Sequence, residues 1–235
     1  MKVHVAAAAD LALAFKELGA AYEKESGNEV VFSFGSTGLL AKQITEGAPF
    51  EVFAAANASF IDDVVKTGAC FGDTKKTYAT GHLVFWTKSE NAPKTPAELR
   101  DARFTKIAIA SPEHAPYGKA AKEALVKSGA WESVEKKMVY GENVQQAFQF
   151  ADSGNADVAI IALSLAISAK GHYEPVDPAL HAPLEQVLAV CNGGKKDAPR
   201  LSAAVAFVEF VGSPEGRATM KKYGFLLPEE SVGPR

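Results

Sequence analysis

The amino-terminal stretch VHVAAAADLALAFKELGAAYEKESGNEVVFSFGSTG, residues 3–38, decides the fold. It opens with a short apolar run, residues 3–8, which predicts a buried strand. The segment 11–24 then carries apolar residues at spacings of four, three and four, which predicts an amphipathic helix with Asp10 as its N-cap. Residues 29–34 are again rich in β-formers. The stretch therefore predicts a strand, a helix and a second strand, which is the building unit of a parallel α/β sheet.

The same alternation continues to the carboxyl terminus. Further strands are predicted at 51–55, 83–87, 107–110, 137–140, 158–161 and 186–190, with helices at 39–46, 164–170, 201–211 and after Ser213-Pro214. No fixed repeat and no long linker interrupts this pattern. We therefore expect an α/β protein with two lobes, each a mixed, mostly parallel sheet flanked by helices. Lobe I should comprise 1–80 and 186–235, and lobe II 81–185.

Composition and charge exclude several classes of protein. Of the 235 residues, 47% are hydrophobic and 23% are charged, which is the balance of an ordinary globular chain. Lys and Arg number 25 against 28 Asp and Glu, giving a net charge of −3. No basic stripe is present, so we expect no nucleic-acid partner. The longest apolar runs are too short to span a bilayer.

The two cysteines, Cys70 and Cys191, are too few for a metal knuckle or a disulfide framework. We expect them to be free, structural thiols, with a single disulfide as the alternative if the compartment is oxidising. No apolar segment precedes the first predicted strand. From the residues alone, a cytosolic protein and an exported one whose signal peptide is missing from this chain both remain open.

Four turns carry the functional signal. Each connects a short strand to an amphipathic helix, and they lie at 8–10, 35–37, 116–118 and 142–144. A helix N-terminus offers backbone N–H groups and a partial positive charge, which together can hold an anion. Ligands of open α/β sheets bind beyond the carboxyl ends of the strands. If the two lobes face each other, the four turns would converge on one cleft.

None of these turns contains Lys or Arg, so an anion would be held by backbone N–H groups, the Ser36 hydroxyl and Thr37. Donors alone suit a compact, fully ionised tetrahedral oxyanion better than a nucleotide, because an anion that keeps a proton would place one donor against another. The alternative is that Ser36 and Asp10 are simple N-caps and that the turns bind nothing. The chain contains neither a Walker A loop nor a G-x-G-x-x-G fingerprint.

Several motifs, in order along the chain, resemble the periplasmic molybdate-binding protein family. They are VAAAADL (5–11), FGSTG (34–38), AKQI (41–44), GAPFEVFAAA (47–56), YATG (78–81), LVFW (83–86), APYG (115–118), ENVQQA (142–147) and YGF (223–225). The resemblance implies the type II periplasmic-binding fold, with two lobes around a cleft. It also implies a periplasmic or extracytoplasmic receptor, a monomer without a cofactor, that delivers molybdate or tungstate to the membrane permease of an ATP-driven importer.

The resemblance further implies which residues hold the oxyanion. These are Ala9 and Asp10 in the first turn, the hydroxyl and N–H of Ser36, and the main-chain N–H groups of Tyr117 and Val144. No side chain is expected to ligate the metal directly. The Tyr117 position resembles the branch of the family that carries a tyrosine in its Pro-Tyr-Gly turn.

Asp10 departs from the family, in which many members carry Ser or Asn at this position. A carboxylate that faces a dianion at contact distance is repulsive. Three solutions are open: Asp10 caps its own helix and shows only its N–H, Asp10 carries a proton, or the ligand is a different anion. We favour the first.

Other functions are weaker alternatives. The Asp10 position keeps open a receptor for chromate or for a phosphorylated or carboxylated metabolite. An effector-sensing domain of a transcription regulator lacks support because no helix-turn-helix segment or basic patch is present. We expect no enzyme, because Ser36 does not lie in a G-x-S-x-G elbow and the five histidines lack metal-ligand spacing.

Overall fold

The computed structural model describes residues 1–193 and 198–230. The strands in chain order are β1 (Lys2–Ala8), β2 (Glu29–Gly35), β3 (Val52–Ala55), β4 (Lys76–Gly81), β5 (Leu83–Thr87), β6 (Ile107–Ala110), β7 (Met138–Gly141), β8 (Val158–Ala162), β9 (His172–Pro175) and β10 (Leu184–Val190). The helices are α1 (Ala12–Ser26), α2 (Thr37–Thr45), α3 (Ala58–Lys66), α4 (Pro116–Lys127), α5 (Trp131–Val134), α6 (Val144–Asp152), α7 (Leu163–Ala166), α8 (Ala198–Val211) and α9 (Pro214–Lys222).

The chain forms two compact units. The first comprises Met1–Thr80 and Glu185–Arg235, and the second comprises Gly81–Leu184. Each unit contains one five-stranded sheet with both parallel and antiparallel neighbours. The predicted class, α/β with mixed sheets flanked by helices, is confirmed.

The sheet of the first unit has the order β2-β1-β3-β10-β4. β1 runs parallel to β2 and β3, whereas β10 runs antiparallel to β3. One buried cluster joins α2 and α3 to this sheet through Ile44, Ile61 and Phe53. A second group of rings includes Phe15 of α1 and Phe207 of α8, whose centroids are 6.2 Å apart. Burial of these apolar faces provides the main stabilisation of the unit.

The sheet of the second unit has the order β7-β6-β8-β5-β9. β6 is parallel to β7 and β8, while β5 is antiparallel to β8 and β9.

Asp157, just before β8, accepts hydrogen bonds through Oδ2 from the backbone N–H groups of Thr105 and Lys106 and from the Thr105 hydroxyl, at 2.7, 2.9 and 2.8 Å. Burial alone would raise the pKa of Asp157, but these bonds outweigh it and lower the pKa below its usual value.

Several local predictions are confirmed and others need correction. Ser213 caps α9 by accepting a hydrogen bond from the backbone N–H of Gly216, as its Ser-Pro sequence predicts. The helix predicted at 164–170 is wrong in extent, because α7 spans Leu163–Ala166 only. Strand β9 was not predicted. It is a four-residue edge strand with no buried residue, so the hydrophobic pattern gives no signal for it.

The expectation of free thiols is wrong, because Cys70 and Cys191 form a disulfide. Both side chains are buried. Cys70 lies beyond α3 and Cys191 immediately follows β10, and the two residues also pair as an isolated antiparallel bridge. The bond therefore ties together parts of the first unit that are 121 residues apart in the sequence.

No helix in the described part of the chain is long and apolar enough to cross a membrane.

Candidate functional site

The predicted anion-binding turns lie in two pairs, each at the carboxyl edge of one sheet. In the first unit, Ala8 at the end of β1 is in register with Gly35 at the end of β2. In the second unit, Ala110 at the end of β6 is in register with Gly141 at the end of β7. Since both strand pairs are parallel, the helix that follows each strand begins at the same edge as its neighbour. Each unit therefore brings two of the predicted turns together.

The first turn of the first unit does not adopt the predicted cap. A single 3-10 turn, Ala9–Leu11, precedes α1, and no side chain caps either segment. The Asp10 side chain is buried, and its Oδ2 accepts a hydrogen bond of 2.9 Å from Nε2 of Gln186 on β10. The prediction that Asp10 caps its own helix is therefore wrong, because a side chain from another strand of the sheet bonds its carboxylate instead.

Two more buried polar groups lie near Asp10, the Tyr78 hydroxyl and Oε1 of Gln186. Tyr78 lies on β4, the neighbour of β10 in the sheet, and burial together with the Asp10 charge raises its pKa well above the usual value. Within residues 1–193 and 198–230, the Tyr78 hydroxyl and Oε1 of Gln186 make no hydrogen bond. Sequence reasoning missed both residues. The available signal was Gln186, a polar residue directly before the apolar run 187–190.

The second turn of the first unit places Ser36 at the start of α2. Ser36 is buried and occupies the N-cap position, with its carbonyl accepting the N–H of Leu40 at 3.0 Å. Its hydroxyl makes no capping bond to the helix, so Ser36 is not a side-chain cap. The buried Thr37 hydroxyl accepts the N–H of Ala56, which lies just beyond β3, at 3.3 Å. This bond fixes the start of α2 against the neighbouring strand end.

The first turn of the second unit is held close to its strand by glycine. Pro116 is the first residue of α4, followed by the buried Tyr117 and Gly118. A Cβ on Gly118 would lie only 2.1 Å from the Ala110 carbonyl oxygen. No side chain fits there, so glycine lets the helix start approach the end of β6. The backbone N–H of Lys119 donates to the carbonyl of Ala115, the N-cap of α4, at 3.0 Å.

The second turn of the second unit is capped on both sides. The Asn143 side chain accepts the N–H of Gln146 at 3.0 Å, and the Gln146 side chain accepts the N–H of Glu142 at 2.6 Å. This reciprocal arrangement resembles a capping box, and it satisfies one N–H group of the first helical turn, that of Gln146, and one N–H group just before the N-cap, that of Glu142. Val144, the first residue of α6, is buried between these bonded positions.

The chemistry of the four turns is that of hydrogen-bond donation to an anion. Backbone N–H groups at helix starts carry partial positive charge without a titratable group. Within the described ranges, no group of three or more His, Cys, Asp or Glu side chains is placed to hold a metal ion. The turns suit a negatively charged ligand rather than a cation.

The profile of the bacterial extracellular solute-binding proteins matches residues 3–226. The chain belongs to this family. Among its relatives in the family, the molybdate-binding protein ModA of Rhodobacter capsulatus is 36% identical over 226 residues, which cover 96% of this chain and 88% of the relative. ModA of Azotobacter vinelandii is also 36% identical, over 96% of this chain and 90% of the relative.

A solved structure of this family agrees with the fold. The periplasmic molybdate-binding protein of Azotobacter vinelandii superposes with a TM-score of 0.88 and 26% identity, covering 96% of this chain and 99% of that one. The resemblance to molybdate-binding proteins found in the sequence motifs is thereby confirmed. The assignment of Ala9, Asp10, Ser36, Tyr117 and Val144 to an oxyanion site stays a prediction.

Proposed function

We propose that this extracellular solute-binding protein binds molybdate or tungstate through donors at Ala9, Asp10, Ser36, Tyr117 and Val144. The observation that carries the proposal is the pairing of two buried strand–helix turns at one sheet edge in each unit. The relatives named molybdate-binding protein support the identity of the ligand.

The donor chemistry favours a fully deprotonated oxyanion. The four turns contain no Lys or Arg, so the ligand charge is met by main-chain N–H groups and the Ser36 hydroxyl. A dianion with four equivalent oxygens accepts from every such donor, whereas a protonated anion presents a hydrogen to one of them. The site holds its ligand and performs no reaction on it, so we propose a receptor and not an enzyme.

The proposed location is outside the cytoplasm. The Cys70–Cys191 disulfide is a bond that persists in oxidising compartments and is rare in the cytosol. Membership of an extracellular solute-binding family agrees with this location. We propose that the protein acts as a monomer and docks transiently on the membrane permease of an ATP-driven importer.

A second ligand class is favoured by one observation, the buried carboxylate of Asp10. A phosphorylated or carboxylated metabolite that also carries a hydroxyl could donate a hydrogen bond to this carboxylate, which molybdate cannot do. Such a ligand would use the same turns for its anionic group. The two ligand classes therefore differ in one contact: the metabolite would donate a hydrogen bond to the Asp10 carboxylate, and molybdate would not.

Isothermal titration calorimetry with sodium molybdate, tungstate, chromate, sulfate and phosphate, together with a set of phosphorylated hydroxy acids, tests the proposal. We expect molybdate and tungstate to bind much more tightly than sulfate. Donors that are spaced for the longer metal–oxygen bonds of these two ions would hold the smaller sulfate ion loosely. Binding of the hydroxy acids without binding of molybdate would support the second class. Absence of heat with every anion would contradict both.

A further inference from the structure

Gln186 is a buried polar residue for which the oxyanion proposal has so far given no role. Its strand, β10, has the sequence LEQVLAV, and every residue of it except Glu185 is buried. An amide in such a strand costs free energy relative to an apolar side chain unless its polar atoms are hydrogen bonded. Here Nε2 is bonded to Asp10, whereas Oε1 has no hydrogen-bond partner within the described residues. The hydrogen bond to Asp10 thus satisfies one polar atom of Gln186, whereas the described core residues around it satisfy none of them.

The contact between Gln186 and Asp10 has a fixed polarity. Nε2 of the amide donates to Oδ2 of the carboxylate at 2.9 Å. With both side chains buried, the bond is poorly screened by water and is correspondingly strong. It holds one carboxylate oxygen of the first turn towards β10.

We propose that Gln186 is a positioning residue of the oxyanion site: it holds the Asp10 carboxylate against β10, so that the turn presents its main-chain N–H to the anion. The inference rests on the proposed oxyanion function. It explains how a chain with an acidic residue in an anion-binding turn tolerates a dianion there. The favoured solution from the sequence, a helix cap, is replaced by an amide from the neighbouring part of the sheet.

Tyr78 provides a matched control for this role. It is buried, its pKa responds to the Asp10 charge, and its hydroxyl makes no hydrogen bond within the described residues. Loss of that hydroxyl in Tyr78→Phe removes a buried polar group near Asp10 without removing a bond to the carboxylate. We expect this variant to bind molybdate within about threefold of the wild type, since no hydrogen bond is lost.

The test exchanges the two side-chain chemistries. Gln186→Met removes the donor at similar volume and leaves the Asp10 carboxylate no longer held against β10. Because a carboxylate that turns towards a dianion repels it, we expect molybdate affinity to fall by about tenfold or more. Gln186→Glu places a second carboxylate beside Asp10 and should weaken binding further. In the double variant Asp10→Asn with Gln186→Glu, the amide and carboxylate change places and the negative charge moves to β10. This exchange should restore binding to within about threefold of the wild type.

Calorimetry with sodium molybdate gives the affinities, and melting temperatures without ligand show that each variant is folded. A role limited to the core would lower the melting temperature of the unliganded protein and would not be rescued by the exchange. Wild-type affinity in Gln186→Met, or an exchanged pair as weak as Gln186→Glu alone, would overturn the inference while leaving the oxyanion function intact. If Gln186→Met does not fold, the isosteric Gln186→Glu with and without Asp10→Asn decides the question. Failure of the wild type itself to bind any oxyanion would instead remove the proposed function.

Discussion

The substitution Gly118→Ala should separate binding from folding most sharply. Gly118 is the third residue of α4, directly after Tyr117, whose N–H is a proposed donor. An added Cβ would meet the Ala110 carbonyl oxygen at 2.1 Å and the Ser111 carbonyl carbon at 2.9 Å. Both contacts are backbone atoms at the end of β6, and the backbone cannot rotate away as a flexible side chain would. The start of α4 must therefore move away from the strand.

The size of this movement follows from the contact distances. Ordinary contact of a Cβ begins at 3.4 Å, so a contact at 2.1 Å requires a displacement on the order of 1 Å. A donor displaced by that amount no longer reaches hydrogen-bond distance from a fixed oxygen. Losing one bond to a charged ligand costs about 1.5–3 kcal/mol, which is about 10- to 150-fold in affinity. Overpacking should also cost about 1–3 kcal/mol of folding stability.

A matched control exists in α9, which also begins Pro-Xaa-Gly. A Cβ on Gly216 would lie 2.3 Å from the Val211 carbonyl oxygen and 2.4 Å from that of Phe210. Gly216→Ala should therefore lose comparable stability in urea unfolding, yet keep wild-type molybdate affinity in calorimetry, because α9 supplies no proposed donor. If the two alanine variants weaken binding equally, or if Gly118→Ala binds as the wild type does, the placement of a donor at the start of α4 is refuted.

Three further outcomes are expected. Ser36→Ala should weaken molybdate binding by about 1–3 kcal/mol in calorimetry, whereas Ser33→Ala, at an exposed position of the preceding strand β2, should not. The double variant Cys70→Ser, Cys191→Ser should lose about 4–5 kcal/mol of unfolding free energy, the value that the chain-entropy description gives for a 121-residue separation. Reducing the disulfide of the wild type should have the same effect, so an unchanged urea midpoint in reductant would contradict this prediction. The lowered pKa of Asp157 adds stability that is present above the unfolded pKa of about 3.9 and is lost as pH falls through the folded value. Asp157→Asn should thus be less stable than the wild type at pH 7, and the difference should shrink in urea unfolding at pH 3.

Local signals along the sequence predicted the elements well where one turn decides the structure. Ser213 caps α9 by accepting the N–H of Gly216, as its position directly before Pro214 indicates. The strand–turn–helix units around Ser36 and Val144 were predicted for the same reason. In each case the deciding contacts lie within a few residues of one another, so a short window of sequence contains them.

Contacts between distant segments were predicted poorly. The disulfide joins residues 121 positions apart, and they meet because β10 returns antiparallel to β3. No periodicity in 184–190 distinguishes an antiparallel strand from a parallel one, since both are buried on two faces. The same return brings Gln186 to Asp10, 176 positions away. Both errors, the free thiols and the capping Asp10, therefore have one cause, which is the direction of a single strand.

The failure of the cap rule at Asp10 has a physical reason that bears on function. A carboxylate before a helix normally bonds the N–H groups of the first turn, and it then competes with any anion for those groups. In this chain Asp10 lies inside the 3-10 turn that precedes α1, and Gln186 bonds its carboxylate. The Asp10 side chain therefore makes no cap bond at the helix start. A capping Asp10 would have filled the donors that an oxyanion needs. The departure from the local rule is thus what the proposed binding site requires, in agreement with the tendency of functional sites to violate local preferences.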